Sequence, residues 1–259
     1  MAKVIFFDTE TTGLDELDRI IQIAVAVYSK KDGVVSVEAF SEYCKAPVPI
    51  SYQAMSTHHI TPEKIANAPV FSELEPAKLL TDPVYDNPSN YLVAHNADYD
   101  LRMLLKEGVA PKCKVIDTYQ VALHLFAHDK RFECFKLQYL RYFLELYKQE
   151  EAEIARFYPN RSIDAHDALG DVIVLALFFQ YILTHYRHQY TLDDLVALSN
   201  KPALIHYITF GKHIGKALNT IVWGDVKWAD WALKNLDDPN MLYSINYYRS
   251  NKEKIKGVS

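Results

Sequence analysis

The 259-residue sequence predicts an α/β fold: a mixed five-stranded sheet flanked by helices, with a small C-terminal α+β module. Three observations carry that prediction. The chain opens with three strand-like segments joined by short turns. Helical and strand-like patterns then alternate as far as about residue 190. After Asn200-Lys201-Pro202 the texture changes, and the remaining ~60 residues are near the lower limit for an independent core. The predicted division is 1–190 for the main domain and 191–259 for a linking helix plus the small module.

The elements follow from local patterns. Val4-Ile5-Phe6-Phe7 reads as a strand buried on both faces, and Ile20 to Tyr28 as a second. Lys31-Asp32-Gly33 turns the chain into a third strand over Val34–Cys44. Ser51 to Ser56 suits a short helix, Thr61-Pro62 a capped helix start, and Phe71 to Leu80 a further helix. Thr81 to Asn90 is a loop rich in Pro, Asp and Asn. Tyr91–Ala94 forms a fourth strand, and Leu101, Leu104 and Leu105 define an amphipathic helix that stops at Gly108. Val115-Ile116 marks the fifth strand, followed by helices to Leu125, over Leu137–Tyr147 and over Ala152–Phe157. A long, nearly all-apolar helix runs from His166 to about His185 and is expected to lie against the sheet. In the tail, Leu204–Phe210 alternates like a strand, and helices are expected near Val226–Lys234 and Asn240–Arg249.

Composition is that of an ordinary globular protein, with 49% hydrophobic and 24% charged residues. No apolar signal segment opens the chain, and the apolar run Val172–Phe179 is too short to span a bilayer, so no membrane partner is expected. Three scattered cysteines indicate neither a disulfide framework nor a zinc site, which fits a reducing, cytoplasmic setting. The formal net charge of −5 is uneven: from Lys201 onward 9 Lys and Arg face 5 Asp and Glu, so +4 follows −9. That asymmetry suits an acidic catalytic body with a basic attachment, and equally a solvated lysine-rich tail.

Asp8 and Glu10 emerge on one side of the first strand as it ends. Two neighbouring carboxylates resist ionisation unless a cation lies between them, so the pair suggests a metal site with oxygen ligands. Chance supplies an Asp-x-Glu about once in a chain of this length, so the pair alone decides nothing. Later stretches add Asp100, in the first turn of a helix that starts where a strand ends, and His166 with Asp171 five residues on. Asp171 sits at the head of a run of core residues, where a carboxylate needs a partner.

Taken in order, Asp8-x-Glu10, His95-Asn96-Ala97-x-Tyr99-Asp100 and His166-x-Ala168-x-x-Asp171 resemble the three motifs of the DEDDh (DnaQ-like) 3′→5′ exonuclease superfamily. The sister branch has Tyr four residues before the last Asp, where this chain has Asp167. His58-His59-Ile60-Thr61, after Gln53-Ala54-Met55, resembles a family segment near the 3′-terminal nucleotide, with His59 in place of the usual Gly. Thr209-Phe210-Gly211-Lys212-His213-Ile214-Gly215-Lys216-Ala217 and Trp228-Ala229-Asp230-Trp231 resemble the C-terminal module of the bacterial exonuclease X group. The segments 81–90 and 145–164 are longer than that group suggests.

The resemblance implies a ribonuclease H-like fold and a hydrolase that releases nucleoside 5′-monophosphates from the 3′ end of DNA, in DNA repair. It implies two Mg²⁺ (or Mn²⁺) about 4 Å apart, with Asp8, Glu10 and Asp171 on the first, Asp8 on the second and Asp100 acting through water. His166 would be the general base. Thr11, Thr12, Gly13, Leu14, His58 and Asn96 are the candidate substrate contacts; Leu14 has an equal reading as a core residue and Asn96 as a helix cap. Lys212 and Lys216 suit either phosphate contacts or a solvated hairpin tip, and the tail aromatics suit a small core. The expected partner is single-stranded DNA or a DNA 3′ end. Open alternatives are an RNA-trimming exonuclease, a polymerase proofreading subunit, a binding module without catalysis, and a homodimeric state.

Overall fold

A computed structural model of the chain describes residues 2–158 and 167–256. Its contacts divide it into two compact units, Met1–Thr118 with Leu137–Thr191, and Tyr119–Lys136 with Leu192–Ser259. Residues 119–136 thus group with the tail, although the sequence reading places them in the first domain.

The first unit is built on one five-stranded sheet. β1 (Val4–Thr11), β2 (Ile20–Lys31) and β3 (Val34–Tyr43) form an antiparallel meander. The β2–β3 turn puts Asp32 and Gly33 at φ 51° and 84°, the left-handed pair that a two-residue hairpin requires. Next come α1 (Tyr52–His58), α2 (Pro62–Ile65) and α3 (Glu75–Leu79). The predicted Phe71–Leu80 helix is instead a 3₁₀ turn over Phe71–Glu73 and then α3, because Pro76 can sit in a first helical turn but not inside a helix. β4 (Tyr91–Ala94), α4 (Ala97–Lys106) and β5 (Lys114–Asp117) alternate as predicted, and α5 (Thr118–Phe126), also predicted, belongs to the second unit from Tyr119 on. The predicted helix over Leu137–Tyr147 stops early, as α6 (Leu137–Phe143), with Glu145 at φ 56° beyond it, and the helix predicted over Ala152–Phe157 starts sooner, as α7 (Tyr147–Phe157). α8 (Ala168–Tyr186) closes the unit.

The sheet order is β3-β2-β1-β4-β5, with β4 and β5 parallel to β1. This is the mixed five-stranded sheet with flanking helices that the sequence predicts. One face packs Ile5 and Phe7 against Leu74, Ala77, Met103 and Leu104 from α3, α4 and their approach. On the other, α8 lies along β1 and β2, and Phe179 meets Phe6 edge-on at 5.4 Å between ring centres. By length and composition α8 would pass as a membrane span, but its apolar residues are buried in this core.

The second unit is helical among its described residues. α9 (Leu192–Ser199), α10 (Leu218–Gly224), α11 (Val226–Asn235) and α12 (Pro239–Ser250) are followed by the short α13 (Lys252–Lys256). The strand expected over Leu204–Phe210 is absent there: one isolated bridge, Tyr207 to Ala217, is all the pairing that forms. The backbone N–H groups of Ala203 and Ile205 bond instead to Asn240 Oδ1 and Ser244 Oγ of α12 at 2.6 and 2.7 Å. Side-chain acceptors thus hold the start of the segment, and His206 and Ile208 bond to the backbone of 215–218. Trp228 and Tyr248 are core residues of this unit, as expected, whereas Trp231 stays half-exposed.

Candidate active site

The site forms where β1 outruns its neighbour. β4 pairs with β1 only through Phe6, and the following residues of β1 have no partner strand on that side. Asp8 and Glu10 point away from the face occupied by Thr9, because side chains alternate along a strand. Both keep partial solvent access, whereas Asp100, in the first turn of α4, is only 6% exposed.

Four motif carboxylates act on one another electrostatically. Burial, then the charges of Asp171, Asp100, Glu10 and Asp167, push the Asp8 carboxyl well above the usual carboxylate range. Burial, then Asp171, Asp100 and Asp167, raise Glu10 to about 8. Burial raises Asp100 to about 7, against the opposing pull of a hydrogen bond from Thr9. Two of the four are steered by neutral donors. The Thr9 hydroxyl donates to Asp100 Oδ1 at 2.5 Å, and the Gln138 amide donates to Asp171 Oδ1.

Among the described residues, no three His, Cys, Asp or Glu side chains make a preassembled metal cage. The donor set is nevertheless the one a hard divalent cation takes: carboxylate oxygens only, with Asp8 and Glu10 raised in pKa by burial and then by the neighbouring charges. A cation between them would reverse that rise. Asp8, Glu10, Asp100 and Asp171 therefore fit Mg²⁺ or Mn²⁺ in chemistry. His166 lies outside the described residues.

The turn after β1 is tied down from inside. Thr11 and Thr12 are buried, and the Thr11 hydroxyl, the Tyr99 hydroxyl and the Gly13 carbonyl share a triangle of contacts of 2.6 to 2.8 Å. The Thr12 hydroxyl donates to Asp18 Oδ1 at 2.6 Å, and Asp15 N–H donates to Asp18 Oδ2 at 2.6 Å. Gly13 is required here by space, since a Cβ would sit 2.6 Å from Asp18 Oδ2. His58 is buried, its Nδ1 accepting from Ile60 N–H at 3.0 Å. That leaves Nε2 protonated, donating to the Thr11 carbonyl at 3.1 Å. Burial lowers its pKa, so the neutral ring supports the turn from beneath.

Of the six substrate-contact candidates, only Leu14 and Asn96 present exposed side chains. Leu14 is 78% exposed at the tip of the turn, which removes its core reading. Asn96 takes the left-handed conformation (φ 66°) before α4, its N–H held by Asp117 Oδ1 at 2.9 Å and its side chain making no cap bond. Two residues at the site escaped the sequence reading. Gln22 stands opposite Glu10 on β2, 1% exposed, and its amide donates to Ser41 Oγ and to Asp167. An amide inside Ile-Ile-Gln-Ile-Ala-Val was a visible signal. Gln138, on α6, gave none.

Residues 5–179, more than half of the chain, match the RNase T family model, described as an exonuclease. The chain belongs to this exonuclease family. It is a nuclease of the DnaQ-like kind, and the resemblance to the DEDDh superfamily holds. It is also 27% identical over 246 residues to exodeoxyribonuclease 10 of Escherichia coli (strain K12), spanning 94% of this chain and 97% of that one. Among solved structures, it is similar to exonuclease X in complex with 5′ overhanging duplex DNA, with a TM-score of 0.53 and 24% identity over 76% of this chain and 99% of that one. An exonuclease I structure gives a TM-score of 0.53 with 18% identity over 76% of this chain and 43% of that one. These two likenesses establish the ribonuclease H-like exonuclease fold. The motif carboxylates and the turn that follows β1 all lie inside the family match.

Proposed function

We propose that this exonuclease is a divalent-metal-dependent 3′→5′ exodeoxyribonuclease releasing nucleoside 5′-monophosphates, acting on single-stranded DNA or DNA 3′ ends. The observation that carries the reading is the convergence of the motif carboxylates on the end of β1, where Asp171 and then Asp100 are the strongest neighbouring charges on both Asp8 and Glu10. A protein with no cation to bind gains nothing from such a cluster. The choice of DNA is supported by the likeness to exodeoxyribonuclease 10 over nearly the full length of both chains. Assignment to DNA repair rests on that likeness alone.

In this reading Asp8, Glu10, Asp100 and Asp171 would together hold two Mg²⁺ or Mn²⁺. Bound metal supplies activation of a water at neutral pH and stabilisation of the leaving 3′ oxygen. Thr9 and Gln138 orient two of the carboxylates. The braced turn offers Leu14 to the terminal nucleotide, with Thr11, Thr12, Gly13 and His58 fixing its shape. His166 removes the proton from the attacking water.

The test is digestion of 5′-labelled single-stranded DNA, the matching RNA and a 3′-blocked DNA, with Mg²⁺ or with chelator. A ladder shortening from the 3′ end of DNA, abolished by chelator, is expected. Internal cutting of the blocked strand would exclude an exonuclease mechanism, and faster loss of RNA would transfer the activity to RNA trimming. His166→Ala should slow turnover by on the order of 10²–10⁴-fold while Mn²⁺ binding, measured by calorimetry, stays unchanged.

A further inference from the structure

The two carboxylates steered by neutral donors are held differently. Thr9 is a single hydroxyl, whereas Gln138 is the end of a chain of polar side chains. Gln138 and Arg141 lie one turn apart on α6 and share a face. Arg141 Nη1 donates to Gln138 Oε1 at 3.2 Å, so the amide NH₂ is the end that faces Asp171. The other edge of the guanidinium is gripped by Glu150 of α7: Nε to Oε1 at 2.6 Å and Nη2 to Oε2 at 2.6 Å. Both side chains are largely shielded, 26% and 16% exposed. Arg141 also feels the field of Asp171, after its larger interaction with Glu150.

We infer that Gln138, Arg141 and Glu150 form a positioning relay for Asp171, in which Glu150 keeps the arginine charge away from that carboxylate while a neutral amide orients it. This rests on the reading of Asp171 as a metal ligand. An arginine paired directly with Asp171 would cancel its charge and compete with a cation through a bidentate salt bridge. An amide donor fixes the rotation of the carboxylate and leaves its charge intact, which is what an outer-shell partner of a metal ligand does. Glu150 therefore acts twice: it locks the guanidinium edge that sets the amide orientation, and it occupies the cation that would otherwise displace the amide. Gln138 is a positioning residue and takes no part in bond breaking.

A purely structural staple between α6 and α7 predicts a different outcome, and the contrast defines the experiment. The full-length protein is titrated calorimetrically with Mn²⁺, and each variant is melted in EDTA. Gln138→Met, nearly isosteric, should weaken Mn²⁺ binding by about tenfold or more without a matching loss of stability in EDTA. Glu150→Gln should weaken it further by releasing Arg141 towards Asp171. The double change Glu150→Gln with Arg141→Met should recover affinity relative to Glu150→Gln alone, since the competitor is gone. A staple gives the reverse order, with the double variant the worst and every loss mirrored in EDTA stability. Unchanged Mn²⁺ affinity in both Gln138→Met and Glu150→Gln, or no recovery in the double variant, overturns the relay. If Gln138→Met fails to fold, the comparison of Glu150→Gln with the double variant still decides. A wild-type protein that binds no Mn²⁺, or binds it equally well as Asp171→Asn, overturns the metal reading itself.

Discussion

Asp8 carries a heavy electrostatic load in the site. It is pressed by burial and by four neighbouring carboxylates, Asp171 foremost. Asp8→Asn should abolish nuclease activity and, in EDTA, raise the melting temperature by removing the repulsion. A variant that is both inactive and less stable in EDTA would mean that Asp8 has another structural role. Gly13 makes a separate point about space. Gly13→Ala drives a Cβ into the Asp18 carboxylate, which already holds Thr12 and the Asp15 N–H. A cost on the order of 1–3 kcal/mol is expected, measurable by urea unfolding. Adding Asp18→Ala should relieve the clash yet leave the turn loose, recovering little activity.

At the scale of elements, the site is a meeting of three ends: the end of β1, the first turn of α4 and the first turn of α8. None of the three can relax alone, so the charge accumulated there is expressed as pH-dependent stability. Glu10 and Asp100, at about 8 and about 7, stand above their ordinary 4.5 and 3.8, so the folded chain retains protons that the unfolded chain has released. Their contribution is fully present below the ordinary values and is lost as pH rises through 7 and 8. His58 has the opposite sense, its contribution being lost only as pH falls below the ordinary imidazole value of 6.5. Between about pH 6.5 and 8 the carboxylates therefore act alone. The melting temperature in EDTA should fall across that interval, and Mn²⁺ should raise it more at pH 8 than at pH 6.5. A flat or rising profile in EDTA would contradict the raised pKa values.

For the whole molecule, the division of contacts matters more than the order of the chain. Residues 119–136 belong with the tail, and Gln120 and Asn240 exchange amide hydrogen bonds at 2.7 and 3.1 Å. A chain cut after Thr191 keeps α5 and Phe132 but loses the residues that close the same pocket, Ile205, Tyr207 and Met241. It should melt at a lower temperature and bind a hydrophobic dye, as scanning fluorimetry and ANS fluorescence would show. Equal stability of the truncated and full chains would mean that the first 191 residues form a self-sufficient domain. In the same unit Lys212 makes an exposed ion pair with Asp225 at 3.0 Å.

The sheet and the carboxylate motifs were legible because each depends on local chemistry. Buried strands declare themselves as runs such as Val4–Phe7, and Asp8, Glu10, Asp100 and Asp171 stand out as charges placed where apolar elements begin or end. The strand expected over Leu204–Phe210 does not form because alternation reports only a half-buried extended segment; packing decides that α12 side chains hold its start and that His206 and Ile208 bond to the backbone of 215–218. The roles of Thr11, Thr12 and His58 were equally hidden. A hydroxyl or imidazole in a motif looks the same whether it faces a substrate or, as here, braces a turn from within. By itself the sequence determined the family, the sheet and the set of carboxylates, since these follow from residue type and spacing along one strand or helix. Which side chains orient those carboxylates was decided by tertiary structure alone. Gln22 and Gln138 reach Asp167 and Asp171 from elements distant in sequence, with Arg141 and Glu150 behind Gln138, and no local pattern records a hydrogen bond made across that distance.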